Sequence, residues 1–339
     1  MSVKIGISFL LMLFVQIISA QQFNTENLVW PKPPQKGRIK FLYSFAGEKN
    51  LGVEKSFFKK ALDFFFGDEE KNNSFERPQG ITVDNKGRIL VSDIGLKGIH
   101  IFDFNEKEYR FIKEYDDSLL VTPIGITVAD NDDIYVCDSA IPAILVFDED
   151  FKYKDRISIN IIRPTGVKIN KQLLYITDTG ANQIIVYDLA ANKEKFRFGK
   201  RGNDTGEFNY PVHLNISAPS NDSVAQKIFV IDALNFRIQV FDLTGKSINS
   251  FGRAGNSVGD FGRPKGIALD SENHLYIADA LFDVIQIFDQ NGQMLLAFGG
   301  SGDKFGNFYL PTDIFIDKND RIYVVDSGNR RVQVFQYLK

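Results

Sequence analysis

The sequence predicts an all-β chain folded as a six-bladed β-propeller of four-stranded antiparallel blades. Three observations carry that expectation. An Asp is followed nine residues later by an aromatic six times: Asp93 and Phe102, Asp138 and Phe147, Asp178 and Tyr187, Asp232 and Phe241, Asp279 and Phe288, Asp326 and Phe335. A Pro precedes each Asp (Pro78, Pro123, Pro164, Pro211, Pro264 and Pro311), with a gap of 15 residues in four units, 14 in the third and 21 in the fourth. Each unit also divides into short apolar runs separated by turn residues. One unit copied at such a period implies a closed or stacked array, because a single copy cannot bury its own faces.

The fifth unit shows the strands in order. Residues 266–270 form a short apolar run, and 271–273 a polar turn. A second strand follows at 275–279, rich in large apolar residues. After a loop at 280–283, a third strand spans 284–289 and a fourth 294–298. Four short strands joined by hairpin connections make one propeller blade. Runs that are apolar on both sides suit a blade sandwiched between two others.

The sixth unit runs out after its third strand at 332–335, with only 336–339 left. A matching fourth strand lies at the other end of the chain, at 39–46. The N-terminal strand is therefore expected to complete the last blade, which removes open sheet edges. This makes 38–339 a single propeller domain.

Two kinds of segment carry a family likeness. One is Asp326-Ser327-Gly328-Asn329-Arg330-Arg331-Val332-Gln333-Val334-Phe335. The other is the linker type Phe251-Gly252-Arg253-Ala254-Gly255 and Phe298-Gly299-Gly300-Ser301-Gly302. On these residues the chain resembles the NHL-repeat family of propellers, in an exported bacterial form, over roughly 75–339. The second and third units depart from the linker pattern, and the second has Ile141-Pro142 in its loop. The resemblance implies a propeller that binds protein or RNA or, in a few relatives, acts as a lyase, so it fixes no single function.

Bulk composition narrows the classes. Of 339 residues, 44% are hydrophobic and 24% charged, which is globular. The formal net charge of −3 leaves no basic footprint for phosphates, so no nucleic-acid partner is expected. Residues 1–20 read as a secretory signal: Lys4, an apolar run at 5–18 too short to span a bilayer comfortably, then Ser19 and Ala20 before Gln21. The rival is an uncleaved anchor. Export to the periplasm or the outside is the expectation. Residues 21–37, with Trp30-Pro31-Lys32-Pro33-Pro34, read as an extended tether. Cys137 is the only cysteine, so no intramolecular disulfide is possible, and its strand context makes it a small buried hydrophobe.

The recurring Asp residues are expected to shape loops by accepting backbone N–H groups, and the recurring aromatics to fill the core between blades. Truncating one such aromatic should cost on the order of 3–5 kcal/mol.

Function should lie where the copies differ. Four units place Gly two residues after the Pro (Gly80, Gly125, Gly166, Gly266), while the fourth has His213 and the sixth Asp313. That position begins the innermost strand, so both side chains are expected at the channel mouth as ligand-binding candidates. Tyr210 and Tyr309, just before them, could add stacking surfaces. Asp313 with backbone carbonyls is a weak calcium candidate, and no other cofactor is expected. The chain has three His. His213 is placed at the mouth, His274 on the opposite face and His100 on a third strand, so a zinc site built from them is not expected.

Between the N-terminal strand and the first unit, an insertion of about 51–73 carries an amphipathic helix at 53–66. Val53, Phe57, Phe58, Ala61, Leu62 and Phe65 share one face, opposite Glu54, Lys55, Lys59 and Asp63. It reads as a rim cap, or else as a docking or membrane-surface helix with Phe57, Phe58 and Phe65 as contacts. The fourth unit has a further exposed loop at 217–226. Together these features predict a non-catalytic extracytoplasmic scaffold presenting a propeller face to a protein or peptide partner. A metal-assisted lyase or hydrolase, or a carbohydrate or small-ligand site at the channel mouth, are the alternatives.

Overall fold

A computed structural model describes residues 28–51, 73–219 and 225–339. Six sheets form the blades of a closed ring. Blade 1 comprises Pro78–Val83, Ile89–Asp93, Gly98–Asp103 and Glu108–Ile112. Blade 5 comprises Pro264–Leu269, Leu275–Asp279, Val284–Phe288 and Met294–Gly299, close to the boundaries expected from sequence. Blades 2, 3 and 4 begin at Pro123–Val128, Pro164–Asn170 and Pro211–Ile216. In each, the strand that starts at Pro is innermost.

Blade 6 is closed as expected. Ile39–Phe45 pairs antiparallel with Arg331–Tyr337, with Phe41 opposite Phe335 and Phe45 opposite Val332. The stretch read as a tether is partly docked. Val29–Trp30 adds a fifth strand to this sheet, opposite Ile39 and Lys40. The ring of Trp30 lies 5.9 Å from that of Phe298 and 6.0 Å from that of Phe335, so burial of one indole holds the segment that the prolines suggested was free.

The core divides as the repeats require. Its six apolar clusters each lie between two neighbouring blades. The recurring aromatics sit in them, and Phe102, Phe147, Phe241, Phe288 and Phe335 are all buried. At the joints, a Phe-Gly pair turns the chain and a later Phe folds back over it. Gly252 has φ +90°, and a Cβ there would lie 2.3 Å from the Phe261 ring, so both the turn and the packing need glycine. Gly299 and Phe308 repeat the arrangement.

The recurring Asp carboxylates tie each blade together. Asp93 accepts from the backbone N–H of Glu76 (2.8 Å) and Arg77 (2.9 Å), just before the inner strand, and of Gly95 and Leu96 in its own loop. Asp138, Asp178 and Asp279 do the same. In blades 4 and 6 side chains join in: Asp326 takes Asn329, Arg331 (2.7 Å) and Gln333 (3.0 Å). This is the loop-shaping role expected, extended to the linker that enters the blade.

Among the described residues the only helical turns are short 3-10 segments, and no helix is long and apolar enough to cross a membrane. The helix expected at 53–66, with Phe57, Phe58 and Phe65, lies outside the described residues, as do the signal at 1–20 and part of the loop at 217–226.

Candidate binding site at the channel mouth

The six Pro residues mark one face of the ring, where the inner strands begin. Just past the Pro the register of every inner strand slips. A bulge of this kind re-aims a side chain. Here it turns the residue after each Pro toward the axis. Gln79, Ile124, Thr165, Val212, Lys265 and Thr312, one from each blade, together line a cavity of about 90 Å³ at the channel mouth. Arg163, Tyr210, His213 and Asp313 complete its wall.

His213 and Asp313 both line this cavity and approach each other, with His213 Nε2 3.5 Å from Asp313 Oδ1. Both side chains are already engaged. His213 Nδ1 lies 3.0 Å from the Leu214 carbonyl oxygen. Asp313 Oδ2 accepts from Ile81 N–H across the blade boundary (3.0 Å), and Oδ1 from Ile314 N–H (2.8 Å). Burial pushes the Asp313 carboxyl upward, against the pull of His213, those two N–H groups and Lys168. A carboxylate that already accepts two N–H bonds and lies within the influence of Lys168 is a poor calcium ligand, since the nearby positive charge repels a cation. Among the described residues no three His, Cys, Asp or Glu side chains converge to hold a metal.

The remaining histidines lie elsewhere. His100 is buried inside blade 1, its Nδ1 2.8 Å from the Tyr109 hydroxyl and its Nε2 3.5 Å from Asp93, and burial lowers its pKa. His274 pairs with Asp270 at 2.9 Å on the opposite face. Tyr309 is 52% exposed on the mouth face but does not line the cavity, so of the two tyrosines only Tyr210 borders it. Cys137 is buried and its thiol pKa is raised by that burial, which makes it inert packing.

The charges at the mouth are mostly positive. Lys265 projects into the cavity with no hydrogen bond or ion pair among the described residues, and burial, helped by Arg263 and Arg163, lowers its pKa from 10.5 to about 8. Arg163 lies over the Tyr210 ring, 5.6 Å from its centroid. Deeper in the channel, Lys168 approaches the face of Phe315 at 5.6 Å, and burial depresses its pKa while Asp313 opposes the shift.

A larger cavity of about 430 Å³ opens on the other face, between blades 6 and 1. Its carboxylates are locked into their own turns: Asp84 accepts from Lys86 and Arg88 N–H, and Asp317 from Asn319 N–H, Arg321 N–H and the Tyr323 hydroxyl. The partly buried, unpaired ammonium of Lys265 lies at the mouth instead.

The family model of the NHL repeat matches residues 308–335, the span that includes the Asp326 cluster of blade 6. The chain is a six-bladed propeller that carries an NHL repeat in its last blade. No curated protein matches it in sequence. Among solved structures it is similar to a streptogramin B lyase, at 12% identity over 77% of this chain and 93% of that one, with a TM-score of 0.56. It is also similar to a catalytically inactive virginiamycin B lyase from Staphylococcus aureus with quinupristin (12% identity, 77% and 95% covered, TM-score 0.55). A Bacteroides thetaiotaomicron protein of unknown function resembles it at 12% identity, with 77% and 70% covered and a TM-score of 0.60. At such identity the likeness is one of fold.

The mouth cations Lys265 and Lys168 lie outside the positions that vary most plainly, those two after the Pro and just before it. The signal was present: at the residue after the Pro only the fifth unit has a charge, Lys265, and four after the Pro only the third does, Lys168.

Proposed function

We propose that this propeller is a non-catalytic extracytoplasmic scaffold that binds a protein or peptide partner on the channel-mouth face. The observation that carries the reading is the distribution of exposed apolar side chains. Among the described residues, only Leu42, Ile248 and Leu295 of the large exposed hydrophobics lie on the outer strands of the blades; the rest, including Val121, Ile162, Leu234, Leu281 and Leu310, sit in the connections on the mouth face, Leu119 in a short hairpin there. Ile162 is 64% and Leu281 62% exposed. Apolar residues gathered on one face and rimmed by polar groups are the usual sign of a docking surface.

The alternative of lyase or hydrolase chemistry rests on His213 and Asp313. Both His213 nitrogens already face acceptors, which leaves no free ring nitrogen directed at the cavity as a general base. The scaffold reading is therefore preferred.

The test compares two variants of the full chain as bait on an envelope fraction. One carries Ile162→Asp, Leu234→Asp and Leu281→Asp; the other carries Ile248→Asp and Leu295→Asp. A partner captured by the wild type should be lost with the first and kept with the second. Equal capture by both variants, or no specific capture by the wild type, would overturn the reading.

A further inference from the structure

We propose that the channel mouth recognises a carboxylate carried on a peptide, either an acidic side chain or a free C-terminus. The inference rests on the partner-binding reading of this face and adds what the hole at its centre accepts.

Three observations converge. The first is charge. Lys265 and Arg163 border the cavity, and Lys168 is near enough to act on Asp313. The one carboxylate among them, Asp313, is satisfied by Ile81 and Ile314 N–H and faces His213. The cations thus outnumber the anions, and an ammonium without a partner in a confined site attracts an anion strongly. The lowered pKa of Lys265, due to burial and then to Arg263 and Arg163, reports the same missing counter-charge.

The second is size. The cavity of about 90 Å³ is well below the roughly 300–1,000 Å³ of a site that encloses a whole small ligand. It has room for one group with a carbon or two, so the remainder of the ligand must lie outside, on the face. The third is shape. Ile124 and Val212 supply apolar wall beside Lys265, suited to methylenes, and Tyr210 supports the Arg163 guanidinium from beneath. A planar guanidinium beside an ammonium matches the two oxygens of a carboxylate.

Calorimetry on the full chain at pH 7 would use acetylated tetrapeptides in three forms: one with a free C-terminus, one amidated but ending in glutamate, and one amidated and ending in glutamine. Acetate and sulfate serve as free-anion controls. One or both carboxylate peptides should bind and the glutamine amide should not; which of them binds identifies the source of the carboxylate. Lys265→Met should weaken binding at least tenfold, whereas Lys265→Arg should retain it, and a thermal melt confirms that each variant is folded. Affinity should fall as pH rises through about 8, because Lys265, which lies near Arg163 and Arg263 and shares the cavity with His213 and Asp313, loses its proton there. The proposal is overturned if no carboxylate probe binds at millimolar concentration, if the glutamine amide or sulfate binds as well as the carboxylates, or if Lys265→Met changes nothing. If the partner is lost with the Ile162, Leu234 and Leu281 variant but kept with Lys265→Met, this inference falls and the scaffold reading survives.

Discussion

His213 and Asp313 belong to blades 4 and 6, yet they meet at 3.5 Å because Gly266 of the intervening blade has no side chain. A Cβ at Gly266 would stand 2.6 Å from the Asp313 Cα and 2.8 Å from its Oδ1. Gly266→Val should therefore push the two apart and strain the inner ring. The expected loss is about 1–3 kcal/mol by urea unfolding, as for other overpacked cores. A variant as stable as the wild type would mean that the inner strands can separate freely.

Lys265→Met should stabilise the protein. The folded pKa of Lys265, about 8, lies below the unfolded 10.5. Folding thus disfavours its charged form. The penalty is complete below pH 8 and disappears as pH rises from 8 to 10.5, so this lysine makes the wild type gain stability over that window. Each pKa unit corresponds to roughly 1.4 kcal/mol, which places the gain from Lys265→Met at neutral pH at up to about 3 kcal/mol. Denaturant titrations at pH 7 and pH 10 should show the difference between the two proteins narrowing at the higher pH.

Asp326→Ala should be among the most damaging single changes. It strands the Tyr309 N–H (2.7 Å) and leaves Arg331 without its buried partner, at 2.7 Å in the native protein. Breaking one side of such a buried pair typically costs about 3–5 kcal/mol. A melting temperature within a degree or two of the wild type would contradict the tie between linker and blade.

Trp30→Ala removes the indole that clamps the fifth strand against Phe298 and Phe335. The loss should be about 1.5–3 kcal/mol, in line with an apolar side chain of this burial. Limited proteolysis should then cut around 28–37 in the variant and spare the wild type.

The repeats make the architecture legible in the residues themselves. Pro and Asp at fixed spacing mark the two ends of a hairpin, and the missing last strand points to the N-terminus, where Ile39–Phe45 does complete blade 6. The placing of His213 and Asp313 at the mouth also follows, because a residue two after the Pro begins the innermost strand; that the two approach each other across blade 5 does not. The bulge does not follow. It depends on backbone register, which leaves no mark on apolar periodicity, and it decides that Lys265 faces the axis. The fifth strand is hidden for a different reason. Two residues, Val29 and Trp30, are too few for a periodic signal, and the prolines after them read as open chain.

The seam of blade 6 sets a timetable for biosynthesis. Ser44 donates to the carbonyl of Val332, a residue 288 positions later. A chain made from its N-terminus must carry that early strand unmatched until Arg331–Tyr337 has been made, with a bare hydrogen-bonding edge throughout. The ring can shut only when that strand arrives, so deleting 331–337 should leave every other blade complete and the circle open.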